Sequence, residues 1–191
     1  MGGRGGMSGL GGGGNGDRFL SSLPDYAMRD VENHSYMGNF GTKIYQIAYM
    51  KNNGVSDETI DEMNALLSDH GGSSAQQSRA DAAIVDHLNA NDDVGKALKM
   101  QIDMEEALYS KWKASNPNAN DRVYRKGNRK SGVESWTTND EGANMGAGGI
   151  GWDHSSTVSD MRAQGYRILG GMGRHLGAAG EAEVTFVKWK K

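Results

Sequence analysis

Hydrophobic residues recur at helical spacing through most of the first 120 residues of this 191-residue chain, and at shorter, strand-like spacing beyond them. Apolar positions three and four residues apart lie on one face of a helix, whereas alternating positions lie on one face of a strand. The pattern predicts four helices in the first part, at residues 42–50, 56–71, 78–89 and 92–114, and a further helical stretch near residues 159–169.

The second of these helices has the clearest terminal signals. Ser56 is a candidate N-cap residue, and Asp57 and Glu58 place negative charge in the first turn, where the helix dipole favours it. A reciprocal capping box is absent, because Thr59 stands where that motif needs glutamate or glutamine. The apolar stripe predicted to be buried comprises Ile60, Met63, Leu66 and Leu67.

Glycine becomes more frequent and the apolar runs become shorter after Asn120. Short strands are predicted within residues 123–127, 135–138 and 180–189, because β-formers alternate there between turn residues. The glycine-rich stretches 142–151 and 170–180 are predicted to be loops.

These elements predict an α+β fold in which a helical N-terminal half packs on a strand-rich C-terminal half. Residues 1–17 are mostly glycine and are predicted to form a flexible tail. Residues 18–120 then form the helical lobe, and residues 121–191 form the strand-rich half of the same domain.

Two carboxylates stand two residues apart at the start of the last predicted strand, at Glu181 and Glu183. If both lie in the strand they project to the same side, ~7 Å apart along the backbone. One carboxylate can then stabilise positive charge on a substrate while the other removes a proton, which suits chemistry at a sugar carbon. The alternative is that both glutamates simply solvate an exposed strand face.

Two upstream strands carry further polar residues, in Tyr124-Arg125-Lys126-Gly127 and in Ser135-Trp136-Thr137. An arginine strand, a serine strand and a Glu-x-Glu strand in this order resemble the arginine/serine/glutamate class of mono-ADP-ribosyltransferases, which includes cholera-toxin-like, clostridial C2-like and phage-encoded enzymes. The resemblance covers about residues 121–191 and implies a β-sandwich core. The chain departs from the commonest pattern by Lys126 before the glycine and by Trp136 and Thr137 after the serine.

The resemblance implies a role for each polar residue. Glu183 is expected to stabilise the charge on the ribose when nicotinamide leaves NAD, and Ser135 to orient Glu183. Arg125 is expected to bind a phosphate of NAD, and Glu181 to select arginine as the acceptor. Trp136 and Thr137 complete the expected contacts with NAD.

Aromatic and loop residues have less specific assignments. Trp136 and Trp152 are candidates for stacking on nicotinamide or adenine, although tryptophans beside strands usually belong to the core. In the loop before the Glu-x-Glu strand, the resemblance makes Met172, Arg174 and His175 candidates for contacting the acceptor, with an ordinary surface loop as the alternative.

Composition limits the other classes of function. The 21 basic and 24 acidic residues give no overall attraction to nucleic acid or to an anionic membrane. Cysteine is absent, which excludes disulfides, thiolate zinc sites and a cysteine nucleophile. The five histidines lack metal-ligand spacing, so we predict no metal. Without a membrane-spanning or secretory segment, we expect no membrane association and a cytoplasmic location in a bacterial host cell.

The resulting hypothesis is an NAD-dependent transferase that modifies arginine on host proteins, as a phage effector or a toxin. Within the enzyme class, the alternatives are transfer to RNA or DNA and hydrolysis of NAD. From another class, the alternative is a phage virion or interaction protein that keeps the fold as a binding module.

Overall fold

The computed structural model describes residues 14–128, 132–138, 152–176 and 182–190. The described part of the chain contains seven helices, which are α1 (Asn15–Ser22), α2 (Asp25–Asn33), α3 (Lys43–Asn52), α4 (Asp57–His70), α5 (Ser74–Ala90), α6 (Asp93–Ser115) and α7 (Val158–Ala163). It also contains five strands, which are β1 (Arg122–Arg125), β2 (Val133–Thr137), β3 (His154–Thr157), β4 (Arg167–Gly170) and β5 (Glu183–Val187).

The strands form one antiparallel sheet in the order β3-β1-β2-β5-β4. Strand β2 pairs with β5 along its whole length, with Ser135 opposite Thr185 and Thr137 opposite Glu183. Strand β1 pairs with β2 through Tyr124 and Thr137. The chain therefore has the predicted α+β fold, with the last strand in the interior of the sheet.

Helix α6 is the centre of the helical half. It runs for 23 residues, and α1 to α5 and strand β4 all pack against it. Trp112, which is fully buried, donates its indole N–H to the carbonyl of His34. Gly16 allows α1 to approach closely, because a Cβ there would lie 2.7 Å from the carbonyl oxygen of Asp103. Helix α1 thus begins inside the segment predicted as a tail, of which residues 1–13 lie outside the described part.

The capping signals explain which helix boundaries the sequence predicts well. The Ser56 hydroxyl accepts a hydrogen bond from the Thr59 amide, and α4 ends one residue before Gly71, as predicted. Asp92 caps α6 in the same way, by accepting from the amide of Gly95. Helix α5 instead begins four residues earlier than predicted, because Ser73 and Gln76 form a capping box.

The prediction fails most clearly in the C-terminal half. The helical stretch expected at 159–169 is the short helix α7 followed by strand β4, and Gly165, with a φ of +90°, makes the turn between them. Strand β3 was not predicted, because His154, Ser155, Ser156 and Thr157 lack the alternating apolar pattern.

Both halves contribute to one hydrophobic core, which extends in sequence from Phe19 to Val187. Helix α5 packs on β2, and α6 packs on β4. These contacts join the helical half to the sheet. No helix within the described ranges is long and apolar enough to cross a membrane.

Candidate functional site

Adjacent strands bring three of the predicted residues to the middle of the sheet. Arg125 ends β1, Ser135 lies at the centre of β2, and Glu183 begins β5. Because Thr137 is opposite Glu183 and side chains alternate along a strand, Ser135, Thr137 and Glu183 share one face. Ser135 and Glu183 therefore lie on one face of neighbouring strands.

Glu183 lies in a polar cluster and is 11% exposed. Its Oε1 is 3.5 Å from Nε2 of His70 and accepts a hydrogen bond from Thr185 Oγ1 at 3.3 Å. Burial alone would raise the pKa of Glu183, but hydrogen bonds from His70 and Ser135 and the charge of His70 outweigh it and hold the pKa below its usual range. The carboxylate is therefore ionised at neutral pH.

His70 is the partner that the sequence did not reveal. The ring is 1% exposed, with Nδ1 2.5 Å from Asp81 Oδ1 and Nε2 2.8 Å from Ser135 Oγ. Burial lowers the pKa of His70, but Asp81 and Glu183 together raise it to about 9. At neutral pH both ring nitrogens therefore carry protons, and Nε2 donates to Ser135, whose hydroxyl is free to donate to Glu183.

No local spacing in the sequence could have identified this histidine. His70 is the last residue of α4, and Asp81 lies two turns inside α5, so the turn between the two helices creates the pair. Ser135 lies 65 positions further along the chain from His70. The contacts of His70 with Asp81 and Ser135 exist together only when the helices pack against the sheet.

Arg125 contacts the backbone of this region, although the pairing of Tyr124 with Thr137 places Tyr124, and not Arg125, on the face that carries Ser135 and Glu183. Its Nη1 donates to the carbonyl of Ser135 at 2.7 Å, and Nε and Nη2 both donate to the carbonyl of Asn128 at 3.3 and 3.1 Å. The guanidinium therefore lies beside the strand that carries the serine. Tyr124 stacks on Trp152 next to it, with ring centroids 6.1 Å apart, so Trp152 packs against an aromatic neighbour in β1.

Trp136 does not join these residues. It is 2% exposed and lies on the opposite face of β2 from Ser135, where its indole N–H donates to the buried carboxylate of Glu134. Strand alternation dictates this orientation, and it makes Trp136 a core residue where we predicted a contact with NAD. Thr137 remains on the face of Ser135 and is half-buried.

Glu181 lies outside the described residues. Strand β5 begins at Glu183, and Ala182 before it has a φ of +46°, in the left-handed region. Thr138 fixes this residue by donating from its amide and hydroxyl to the Ala182 carbonyl. Ala182 therefore departs from the extended backbone of β5, which follows it.

A buried carboxylate of α6 hydrogen-bonds the loop that precedes the last strand. Glu105, in the middle of α6, is fully buried and accepts hydrogen bonds from the amides of Met172 and Gly173 at 2.7 and 3.1 Å. Its other oxygen accepts from the side chains of Gln46 and Gln101 at 2.8 and 3.1 Å. Burial raises the pKa of Glu105 to about 7, against the effect of these bonds.

The same loop contradicts the role expected for its side chains. Met172 is fully buried, and Arg174 is 3% exposed and donates to Gln101 and Asn64 at 3.2 and 2.5 Å. These two residues pack inward, so they are not available to contact an acceptor. His175 is exposed and lies 2.6 Å from Asn39 Oδ1.

A groove of about 860 Å³ lies between α5 and the segment that follows β5. Asp81, Val133, Lys188 and Trp189 are among the residues that line it. Val133 pairs with Val187 at the opposite end of β2 and β5 from Glu183. The groove therefore shares Asp81 with the cluster around Glu183, and its other lining residues include Val133 at the opposite end of β2.

Comparisons with known proteins do not add an assignment. No protein-family model matches the chain. No curated protein and no solved structure is significantly similar to it. Among the described residues, no group of three or more histidine, aspartate or glutamate side chains is arranged to hold a metal ion.

Proposed function

We propose that the chain is an NAD-dependent mono-ADP-ribosyltransferase that transfers ADP-ribose to arginine on host proteins and releases nicotinamide. The observation that carries the proposal is the placement of Ser135 and the ionised Glu183 on one face of neighbouring strands, with Arg125 on the next strand. The resemblance rests on the same three residues in their order along the chain. The finer description of the fold, a transferase-like β-sandwich core, belongs to the same proposal.

Each side chain has a chemical task in this proposal. As the bond from the ribose to nicotinamide breaks, the sugar becomes positive, and the Glu183 carboxylate stabilises that charge more than it stabilises bound NAD. Ser135 holds the carboxylate in place through its hydroxyl. Arg125 offers a planar guanidinium to a phosphate of NAD. Glu181 draws a proton from the acceptor guanidinium.

A structural or interaction role is the second candidate, and the burial of the cluster favours it. His70 and Glu183 are 1% and 11% exposed, beneath the turn between α4 and α5. Buried charged groups of this kind are retained in some proteins because they specify one packing arrangement. In this case the fold would be a binding module, as in a phage virion, and the chain would not consume NAD.

The cluster also contains the atoms of a serine, histidine and aspartate triad. Asp81, His70 and Ser135 are joined in that order at 2.5 and 2.8 Å. A triad histidine must accept the serine proton, which requires a neutral ring. Because Glu183 and Asp81 keep His70 protonated at neutral pH, with a pKa of about 9, the chain is not expected to act as a serine hydrolase.

A fluorophosphonate probe checks this expectation. We expect no labelling of the chain at pH 7, because a protonated His70 cannot activate Ser135. A serine protease in the same reaction supplies the positive control. Labelling that disappears in Ser135→Ala would contradict the expectation and would favour acyl transfer instead.

The test of the proposed function is incubation of the purified chain with labelled NAD and bacterial lysate, followed by separate protease and nuclease digestion. Release of nicotinamide together with protease-sensitive label is expected, and an excess of free arginine methyl ester should compete for the label. Label that survives protease but not nuclease would move the acceptor to RNA or DNA. Nicotinamide release without label would indicate hydrolysis, and no NAD consumption would favour the structural role.

A further inference from the structure

The His70 ring joins three separate elements at one buried point. Nδ1 contacts Asp81 of α5, and Nε2 contacts Ser135 of β2 and Glu183 of β5, at 2.5, 2.8 and 3.5 Å. Thr185, also on β5, donates to Oε1 of Glu183, the same oxygen that lies near His70 Nε2. A ring that is 1% exposed and bonded at both nitrogens cannot rotate without breaking a buried hydrogen bond.

We propose that His70 is a positioning residue of the site: its ring fixes the Ser135 hydroxyl and the Glu183 carboxylate, and Asp81 fixes the ring. The catalytic part of this inference rests on the proposed function. His70 contacts Glu183 and Ser135, and in this inference it acts through these two residues.

The charges of the cluster explain why Asp81 belongs to it. An imidazolium beside Glu183 opposes the positive charge that develops on a ribose, so His70 and Glu183 alone would make a nearly neutral pair. Asp81 adds a second negative charge and leaves the group of three with a net charge of minus one. The cluster therefore keeps Glu183 oriented and still attracts a cationic transition state.

Two substitutions of His70 test whether its ring orients Ser135 and Glu183 or only fills buried space. The amide of glutamine extends about as far as Nε2 and can donate to Ser135 and Glu183, whereas the amide of asparagine extends about as far as Nδ1 and can reach only Asp81. His70→Asn is expected to lower kcat for nicotinamide release by about 100-fold, with KM for NAD unchanged within about threefold. His70→Gln is expected to recover a substantial part of that loss.

The control is His87→Gln. His87 has an aspartate partner at a similar distance, with Nδ1 2.8 Å from Asp92 Oδ2, but its side chain is 25% exposed. This variant should keep the wild-type kcat. A folded His70→Asn with wild-type kcat, or one that loses affinity for NAD alone, would overturn the positioning role.

Titration of the histidine rings by NMR tests the same contacts without any activity. His70 is expected to titrate near pH 9, well above the ordinary 6.5, because the folded state favours its charged form. Glu183→Gln and Asp81→Asn should each lower that pKa, and Glu58→Gln, at an exposed position, should not.

Measuring NAD consumption and titrating His70 by NMR together distinguish failure of the proposed function from failure of the positioning role. If the wild-type chain consumes no NAD, the proposed function fails, and the titration alone then decides whether His70 fixes Glu183. If the chain consumes NAD but His70 titrates near 6.5 and does not respond to Glu183→Gln, the positioning role fails and the proposed function stands.

Discussion

Glu183→Gln is expected to lower nicotinamide release from NAD by about 10²- to 10³-fold while the chain remains folded. The substitution keeps the size of the side chain and an oxygen that accepts from Ser135 and Thr185, but it removes the negative charge that would oppose the charge on the ribose. The loss should appear in kcat rather than in KM, because the missing interaction is made in the transition state. Steady-state kinetics with a nicotinamide assay measure it.

Glu58→Gln is the matched control for this variant. Glu58 is exposed in the first turn of α4, so its replacement should leave turnover unchanged. Circular dichroism and the thermal midpoint of both variants show whether the fold is retained. A folded Glu183→Gln that turns over NAD at the wild-type rate would exclude Glu183 as the catalytic carboxylate.

Glu105→Ala is expected to cost the protein about 3–5 kcal/mol of unfolding free energy. The truncation leaves four buried N–H donors, from Gln46, Gln101, Met172 and Gly173, without their acceptor, and it opens a cavity in α6. Glu105→Gln should lose less, since it keeps the volume and one acceptor oxygen. Urea unfolding followed by circular dichroism gives both values.

The pH dependence of this loss has a definite sign. The pKa of Glu105 is about 7 in the folded protein and near 4.5 in the unfolded chain, so the folded state holds the proton more tightly. The tighter proton binding by Glu105 adds fully to the unfolding free energy below pH 4.5. This contribution declines as the pH rises through 7. Glu105→Ala should therefore lose more at pH 5 than at pH 8, and Glu58→Ala should lose little at either. An equal loss at both values would contradict the raised pKa.

Local signals predicted helices α3 to α6 of the helical half but missed α1 and α2. Ser56 and Asp92 cap their helices through bonds to nearby amides, and those bonds depend on residues three positions away. The start of α5 was missed although Ser73 and Gln76 form an equally local capping box. The error there lay in relying on apolar spacing, which begins later than the helix does.

The C-terminal half was predicted less well because its elements depend on distant partners. Strand β3 has no alternating pattern of its own and is held by pairing with β1. Ala182 takes a positive φ, against the preference of its side chain, where Thr138 bonds its carbonyl. Neither feature could be derived from the residues immediately around it.

The candidate site likewise contains residues that the sequence predicted and residues that it did not. Ser135 and Glu183, which the family resemblance named, lie on the neighbouring strands β2 and β5. The sequence did not predict His70, Asp81 or Glu105, because each becomes important through a partner that another helix or strand supplies. Trp136 was predicted to contact NAD, although the alternation of side chains along β2 places it on the opposite face from Ser135.

The hydrogen bond between His70 and Ser135 has a consequence for how the chain folds. It closes a loop of 65 residues, whereas the contacts that form α4 and its turn into α5 join near neighbours in sequence. Long loops close late, because their entropy is lost before the contacts that compensate for it are made. A newly synthesised chain would thus hold a formed helical half before it holds the Glu183 cluster, and any activity of that cluster would arise at the last stage of folding.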